Sequence, residues 1–238
     1  RKEVAAVHGP HPKDRALFAE EKEAVLRAAA GDLRWLLGRG YALPGALALV
    51  GNRIQLAKRQ RQCLLRGVCA PDLAEAVRRA AVEASALRGA ALLIDGHNVL
   101  ITVETALARG VLIRSDDGFL RDLAERHGSY RKSARTEEAL LLLRDALASL
   151  ALGEARCYLD RPLPLSGLLA RRVREVVPAA EVAVVPSPDG AIAARLKEDP
   201  RAVCATSDAG ILRRAARVFD LAAYIARARI PDAWTIAL

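Results

Sequence analysis

One stretch limits the folds open to this chain: Ala91-Leu92-Leu93-Ile94-Asp95-Gly96-His97-Asn98. Four apolar residues run straight into an acid, a glycine and an asparagine, the pattern of a short buried strand that ends in a loop. Three later stretches repeat it. Cys157-Tyr158-Leu159 leads to Asp160, Val182-Ala183-Val184-Val185 leads to Asp189, and Val203-Cys204-Ala205-Thr206-Ser207 leads to Asp208. Helical patterns separate these runs: one capped by Thr136, one opened by Ser166, one headed by Asp189 and one by Asp208. Strands alternating with helices predict an α/β chain, a parallel sheet with helices on both faces. In such sheets chemistry gathers beyond the carboxyl ends of the strands. The strand before Asp95 is expected at the centre, with the strand before Asp208 beside it. Val111–Arg114 and Val218–Leu221 are candidate extra strands.

The first part of the chain reads differently. Asp14 caps a helix, and Leu17 to Leu37 carries a helical apolar pattern that stops at Gly38 or Gly40. Pro44–Val50 forms a short helix, Gly51-Asn52-Arg53 breaks it, and Pro71 opens another that ends at Arg88-Gly89. The chain carries a net charge of +9. Residues 1–88 hold 16 Lys and Arg against 9 Asp and Glu, and residues 89–238 hold 21 against 19. This predicts a small all-α basic domain over 1–88 and an α/β domain over 89–238. Between Asp32 and Asp72 there is no acid. On one helix through Arg53–Arg66, the residues Gln55, Lys58, Arg59, Gln62 and Arg66 share a face, suited to a phosphate backbone. A plain solvated face is the competing reading.

Asp95, Asp160, Asp189 and Asp208 thus form a candidate carboxylate cluster for a hard divalent cation, which takes few carboxylates and leaves room for phosphate oxygens. Each acid taken singly also reads as a helix cap. Asn98 reads as a group that orients water or phosphate, or as a turn residue. Thr206 and Ser207 read as phosphate ligands, or as caps. Asp116-Asp117-Gly118 is a turn or an acid pair, and Asp122 with His127-Gly128-Ser129-Tyr130-Arg131 reads as a substrate-facing loop. Phosphate-binding glycine loops, a nucleophile elbow and zinc spacing are all missing. No run approaches a membrane span, and no signal peptide is seen. The start at Arg1 reads as processed or trimmed. The four cysteines lack C-x-x-C spacing and read as reduced thiols of a cytoplasmic protein.

Asp95-Gly96-His97-Asn98, Asp189-x-x-Ile192 and Thr206-Ser207-Asp208 together resemble the PIN-like nuclease superfamily, and its NYN branch in particular. The resemblance covers about residues 90–225. It implies a PIN-like Rossmannoid fold and Mg²⁺- or Mn²⁺-dependent ribonuclease activity. The implied metal ligands are Asp95, Asp189, Asp208 and Asp160, with Asn98 in the catalytic set. PIN domains carry their middle acid as Glu on a helix, whereas the nearest acid here is Asp160 after a strand, with Asp116 or Asp117 as alternatives. The whole chain also resembles the prokaryotic domain-of-unknown-function family four hundred and thirty-four, through Leu49–Arg53, Arg59-Gln60-Arg61, Asp116-Asp117-Gly118, His127–Tyr130 and Ser166-Gly167.

Three functions follow as expectations. The first is a metal-dependent ribonuclease in which Thr206, Ser207, Arg53, Lys58, Arg59, Gln62 and Arg66 hold RNA. The second is a non-catalytic RNA-binding or scaffold protein on a degenerate PIN fold. The third is a metal-dependent phosphohydrolase of a small substrate, which has no need of the basic helices.

Overall fold

All four apolar runs are strands of one parallel sheet. The computed structural model describes residues 11–124 and 134–238, so His8–Pro10 and the His127–Arg131 segment lie outside the described residues. Five helices come first: α1 (Asp14–Leu17), α2 (Glu20–Gly38), α3 (Leu43–Arg53), α4 (Lys58–Gly67) and α5 (Pro71–Ala80), followed by a 3-10 turn at Ala84–Leu87. Then come β1 (Ala91–Asp95), α6 (Gly96–Leu107), β2 (Leu112–Arg114), β3 (Leu120–Asp122), α7 (Ala134–Ser149), β4 (Glu154–Asp160), α8 (Ser166–Val176), β5 (Glu181–Val185) and α9 (Pro188–Glu198). The chain closes with β6 (Val203–Ala205), α10 (Ala209–Leu212), α11 (Leu221–Arg229) and β7 (Thr235–Ala237).

The main sheet has the order β5-β4-β1-β6, all parallel. Side-chain alternation along each strand explains why helices are needed on both faces. Leu92 and Ile94 of β1, Cys157 and Leu159 of β4, and Val203 and Ala205 of β6 pack with α6, α7, α8 and α11. Leu93, Tyr158 and Cys204 point the other way, onto Val77, Ile192 and Ile211. The chain runs outward from β1 through β4 to β5, then returns to the far side of β1 as β6. The order therefore reverses between β1 and β6, with Asp95 and Asp208 at the carboxyl ends that flank the reversal. The expected fifth strand is a single residue: Val218 bridges to Cys204 and to Ala81.

A second, smaller sheet has the order β3-β2-β7. Ile113 and Ile236 of this sheet, with the flanking Val111 and Leu123, share a core with Leu26, Leu33, Cys63 and Leu64 of the helices. Arg34 of α2 reinforces the junction. Its Nε donates to both Asp116 carboxylate oxygens at 2.9 Å, and Nη2 donates to the Leu238 carbonyl at 2.8 Å.

The basic helix differs from the sequence expectation. It is two elements rather than one, because α3 continues through Gly51-Asn52-Arg53 and Gln55 takes a left-handed φ of 52°. The new start is fixed locally, where Ala57 N–H donates to Gln60 Oε1 at 3.0 Å. The phosphate face is mostly occupied from within. Arg59 stands one turn before the buried Cys63, so the helix carries it inward. Its guanidinium forks onto Asp14, with Nη2 to Oδ2 at 2.8 Å, and also donates to the Leu123 carbonyl. Arg66 Nη1 donates to Asp122 Oδ1 at 3.0 Å, and Nη2 to the Ala124 carbonyl at 3.0 Å. Gln62 is half-buried, and its Oε1 finds no hydrogen-bond partner among the described residues. Lys58 and Arg53 stay exposed, and Arg53 meets Asp32 at 3.0 Å. Three cations of the acid-free stretch are therefore matched in space: Arg53 by Asp32, Arg59 by Asp14 and Arg66 by Asp122.

Candidate functional site

The carboxyl ends of β1 and β6 are clasped by side chains. Asp95 is 5% exposed and caps α6, where its Oδ1 accepts from Asn98 N–H at 3.2 Å. Thr206 Oγ1 donates to Asp95 Oδ2 at 3.2 Å and accepts from Asp208 N–H at 3.1 Å. One hydroxyl thus ties the two strands' acidic ends together. Asn98 Oδ1 accepts from both Ser207 N–H at 2.8 Å and Ser207 Oγ at 3.0 Å. The residue between Asp95 and His97 must be small: a Cβ on Gly96 would stand 2.6 Å from Cys157 Sγ and 3.1 Å from the Tyr158 carbonyl oxygen. Glycine lets α6 leave the sheet tight against β4.

Asp208 caps α10, its Oδ1 accepting from Gly210 N–H at 2.8 Å and Ile211 N–H at 3.3 Å. Its Oδ2 makes no hydrogen bond among the described residues. Asp189 is exposed in the first turn of α9, behind the cap Ser187. Three of the acids are felt at one place. Burial pushes the Cys204 thiol up, and Asp95, Asp189 and Asp208 push it further in the same direction. Asp160 ends β4 beside His97 of α6. Its N–H donates to His97 Nδ1 at 3.0 Å, and its carboxylate lies 3.6 Å from that nitrogen. Among the described residues, no three His, Cys, Asp or Glu side chains group closely enough to enclose a metal ion by themselves.

Beside the clasp opens a cleft of about 520 Å³ between the helices and the sheet. Tyr41, Leu65 and Arg66 line it from the helical side, and Asn98, Asp117, Arg121, Asp122, Ser207, Asp208 and Arg213 line it from the other. The acids in it other than Asp208 are held. Arg121 grips Asp117 at 2.8 and 2.7 Å and donates through Nε to the Ser207 carbonyl at 2.9 Å. Burial works to raise Asp117, but the bonds and charge of Arg121, the Ser115 hydroxyl and the Phe119 amide hold it below the usual carboxylate range. Thr102 Oγ1 donates to Asp122 Oδ2 at 3.1 Å, the acid that Arg66 also holds. Asp116 faces Arg34 instead of the cleft.

Sequence reasoning passed over Arg121 and Arg213. The signal for Arg121 was available, since a charge pair inside the strand Leu120-Arg121-Asp122 has to be satisfied if the strand is buried. Arg213 follows a short helix in a charge-rich run and carries no such mark.

The first part of the chain, residues 25–79, matches the family described as Protein of unknown function (DUF434). Residues 84–224, more than half the chain, match the model described as Domain of unknown function (DUF5616). The chain belongs to the DUF5616 family. The likeness to the first family, expected over the whole chain, is confined to the helices, and the sheet carries the second. Among curated proteins the chain is similar to the uncharacterized protein MJ0935 of Methanocaldococcus jannaschii. The two are 30% identical over 157 residues, covering 66% of this chain and 75% of the relative. No solved structure matches. Neither family model describes a nuclease. Among the described residues no helix is long and apolar enough to cross a membrane.

One half-buried acid outside the clasp gives a pH-dependent expectation. Asp220 caps α11, accepting from Ala223 N–H at 2.8 Å and Leu120 N–H at 2.6 Å. Burial pushes its carboxyl up to about 6 despite those bonds. The folded state then holds a proton between about pH 4 and 6 that the unfolded chain releases. Stability from this group is present at pH 4 and is lost as pH rises through 6. Urea unfolding at pH 4.5 and 7 should show that decline in the wild type and a smaller one in Asp220→Asn. Equal slopes would assign the pH dependence to other groups.

Proposed function

We propose that this protein is a metal-dependent ribonuclease whose centre lies at the Asp95–Thr206–Asp208 clasp. The single observation that supports it most is that the reversal of strand order, the place where α/β sheets bind ligands, carries two acids from adjacent strands tied through one hydroxyl. The donor chemistry suits Mg²⁺ or Mn²⁺. The oxygens are hard, Asp208 keeps one unengaged, and Asp189 adds negative charge nearby. An ion held mainly by Asp95 and Asp208 would keep much of its water shell, as Mg²⁺ commonly does. When bound, such an ion supplies an activated water and charge neutralisation at a phosphate.

The chain's own residues perform the rest. Ser207 fixes the Asn98 carboxamide oxygen, which leaves its amide group to orient a phosphate or water. Thr206 sets the Asp95 carboxylate. Arg213 and Lys58 offer phosphate contacts at the surface, a role in which Arg59 and Arg66 take less part because they are engaged internally. In this reading the PIN-like assignment rests on the same motifs, and Asp160 positions His97 rather than the ion. The buried free thiols Cys63, Cys157 and Cys204 suit a reducing cytoplasm.

The test is a cleavage assay on unlabelled-end and labelled-end RNA with Mg²⁺, Mn²⁺ or EDTA. Products are expected with either metal, none with EDTA, and a loss of at least about tenfold in Asp208→Asn. Metal-independent cleavage, or none under any condition, would overturn the reading. The helices' place beside the clasp favours a polymer over a small phosphoester as substrate, because the cleft is open to both modules.

A further inference from the structure

We infer that the helical module supplies a base-stacking wall to the cleft, with Tyr41 as the platform, and that the substrate of this site is therefore single-stranded RNA. The inference rests on the ribonuclease reading for its site and goes beyond it in naming the form of the substrate and the residue that selects it. Tyr41 is placed by the end of α2. Gly40 takes a left-handed φ of 84°, its N–H donates to the Leu37 carbonyl at 3.0 Å, and Tyr41 N–H donates to the Leu36 carbonyl at 3.2 Å. This pair of bonds is a Schellman stop, and it fixes where the next residue stands. The result is a tyrosine that lines the cleft yet remains 58% exposed. Its hydroxyl makes no hydrogen bond among the described residues.

An exposed aromatic at the wall of a polar cleft has apolar surface left uncovered, and a planar apolar ligand would cover it. The other large exposed aromatic, Trp35, is a useful contrast: the Arg39 guanidinium already sits 4.9 Å over its ring, and Trp35 is not a cleft residue. Arg213 also lines the cleft, and its exposed side chain makes no ion pair or hydrogen bond among the described residues. Arg66 and Arg121, the other cations of the cleft, are spent on Asp122 and Asp117. The unfilled demands of the cleft are thus one π face and one negative charge, beside an acidic clasp suited to a phosphate-bridging cation. A nucleotide with its base against Tyr41 and a phosphate at Arg213 meets all of them. A base paired within a duplex has both faces stacked and cannot lie on Tyr41, so the strand must be single.

The experiment measures binding with cleavage switched off. In EDTA, fluorescence anisotropy follows a labelled single-stranded RNA, and the same sequence as a duplex, against wild type, Tyr41→Ala, Tyr41→Phe and Arg213→Gln. Tyr41→Ala should weaken single-strand binding roughly tenfold or more, Tyr41→Phe should restore it, and neither should change duplex binding. Arg213→Gln should weaken binding and flatten its salt dependence by about one phosphate contact. A 2-aminopurine in the single strand should be quenched on binding by wild type and Tyr41→Phe but not by Tyr41→Ala. Unchanged affinity in Tyr41→Ala, or equal loss on single strand and duplex, would overturn the inference. Asp95→Asn separates the two ideas. If it still cleaves, the catalytic reading fails while Tyr41 selectivity can stand. If cleavage depends on Asp95 but Tyr41→Ala binds like wild type, the stacking wall fails alone.

Discussion

Asp95→Asn should reduce RNA cleavage by at least about a hundredfold while leaving the protein folded. Changes one step removed from a metal ligand already cost roughly 10- to 100-fold, and Asp95 is proposed as a direct one. The fold should tolerate the change because asparagine caps a helix about as well as aspartate. The retained oxygen can accept from Asn98 N–H, and the Thr206 hydroxyl can turn to accept from the new amide. Removing one negative charge also relieves the repulsion that Asp95, Asp189 and Asp208 exert around β6 in the absence of a cation. The thermal midpoint measured in EDTA should therefore stay level or rise slightly. With Mg²⁺ added, wild type should gain more stability than the variant, because an ion that binds only the folded state stabilises it by mass action. Full activity in Asp95→Asn would mean that the acids serve only as helix caps. Equal Mg²⁺ stabilisation of both proteins would place any ion elsewhere.

Asp14→Ala should destabilise the protein by about 3–5 kcal/mol, the usual cost of removing one partner from a buried ion pair. Asp14 is fully buried, and Arg59 is 9% exposed. The variant would leave a guanidinium enclosed with only the Leu123 carbonyl to bond. His11 N–H would also lose its acceptor, since it donates to Asp14 Oδ2 at 2.9 Å. Denaturant unfolding should show the loss. The double variant Asp14→Leu with Arg59→Met should recover most of it, because replacing both charges by apolar groups removes the desolvation cost along with the attraction. A loss below about 1 kcal/mol in Asp14→Ala would put the pair among exposed ones. The same geometry bears on RNA binding: reversing the charge of Arg59 or Arg66 would unfold the helices before it reported on phosphate contacts. Lys58 and Arg53 are the positions where Glu substitution tests them.

The core strands were legible in the sequence for a simple reason. A strand buried on both faces needs an unbroken apolar run, and a parallel strand must hand over to a helix, so Leu92–Ile94, Cys157–Leu159, Val182–Val185 and Val203–Ala205 each end in turn and capping residues. The candidate site was legible where local rules carry it: Asp95 with Asn98 three residues later, and Thr206 with Asp208. The short strands β3 and β7 were not legible. Each has three residues, so no period can build up within it, and the pairing of β7 with β2 is non-local as well. Val218 likewise joins the sheet through one bridge on each side.

The sequence by itself determined the alternation of strands and helices, the acids at the strand ends, and the caps Asp95 and Asp208, because backbone geometry and side-chain period act over a few residues. Asp14, Thr136 and Asp189, expected as caps or helix heads, fall within the first turns of their helices instead. The tertiary structure alone decided which acids meet. It set β6 beside β1 and so joined Asp208 to Asp95 through Thr206, and it turned Asp160 toward His97. It also decided what the basic residues do. Arg59 and Arg66 read as free cations along the chain, yet burial makes an unpaired charge so costly that each is matched by an acid from a distant segment, Asp14 and Asp122. Such pairing depends on distances in space, which the order of residues does not record.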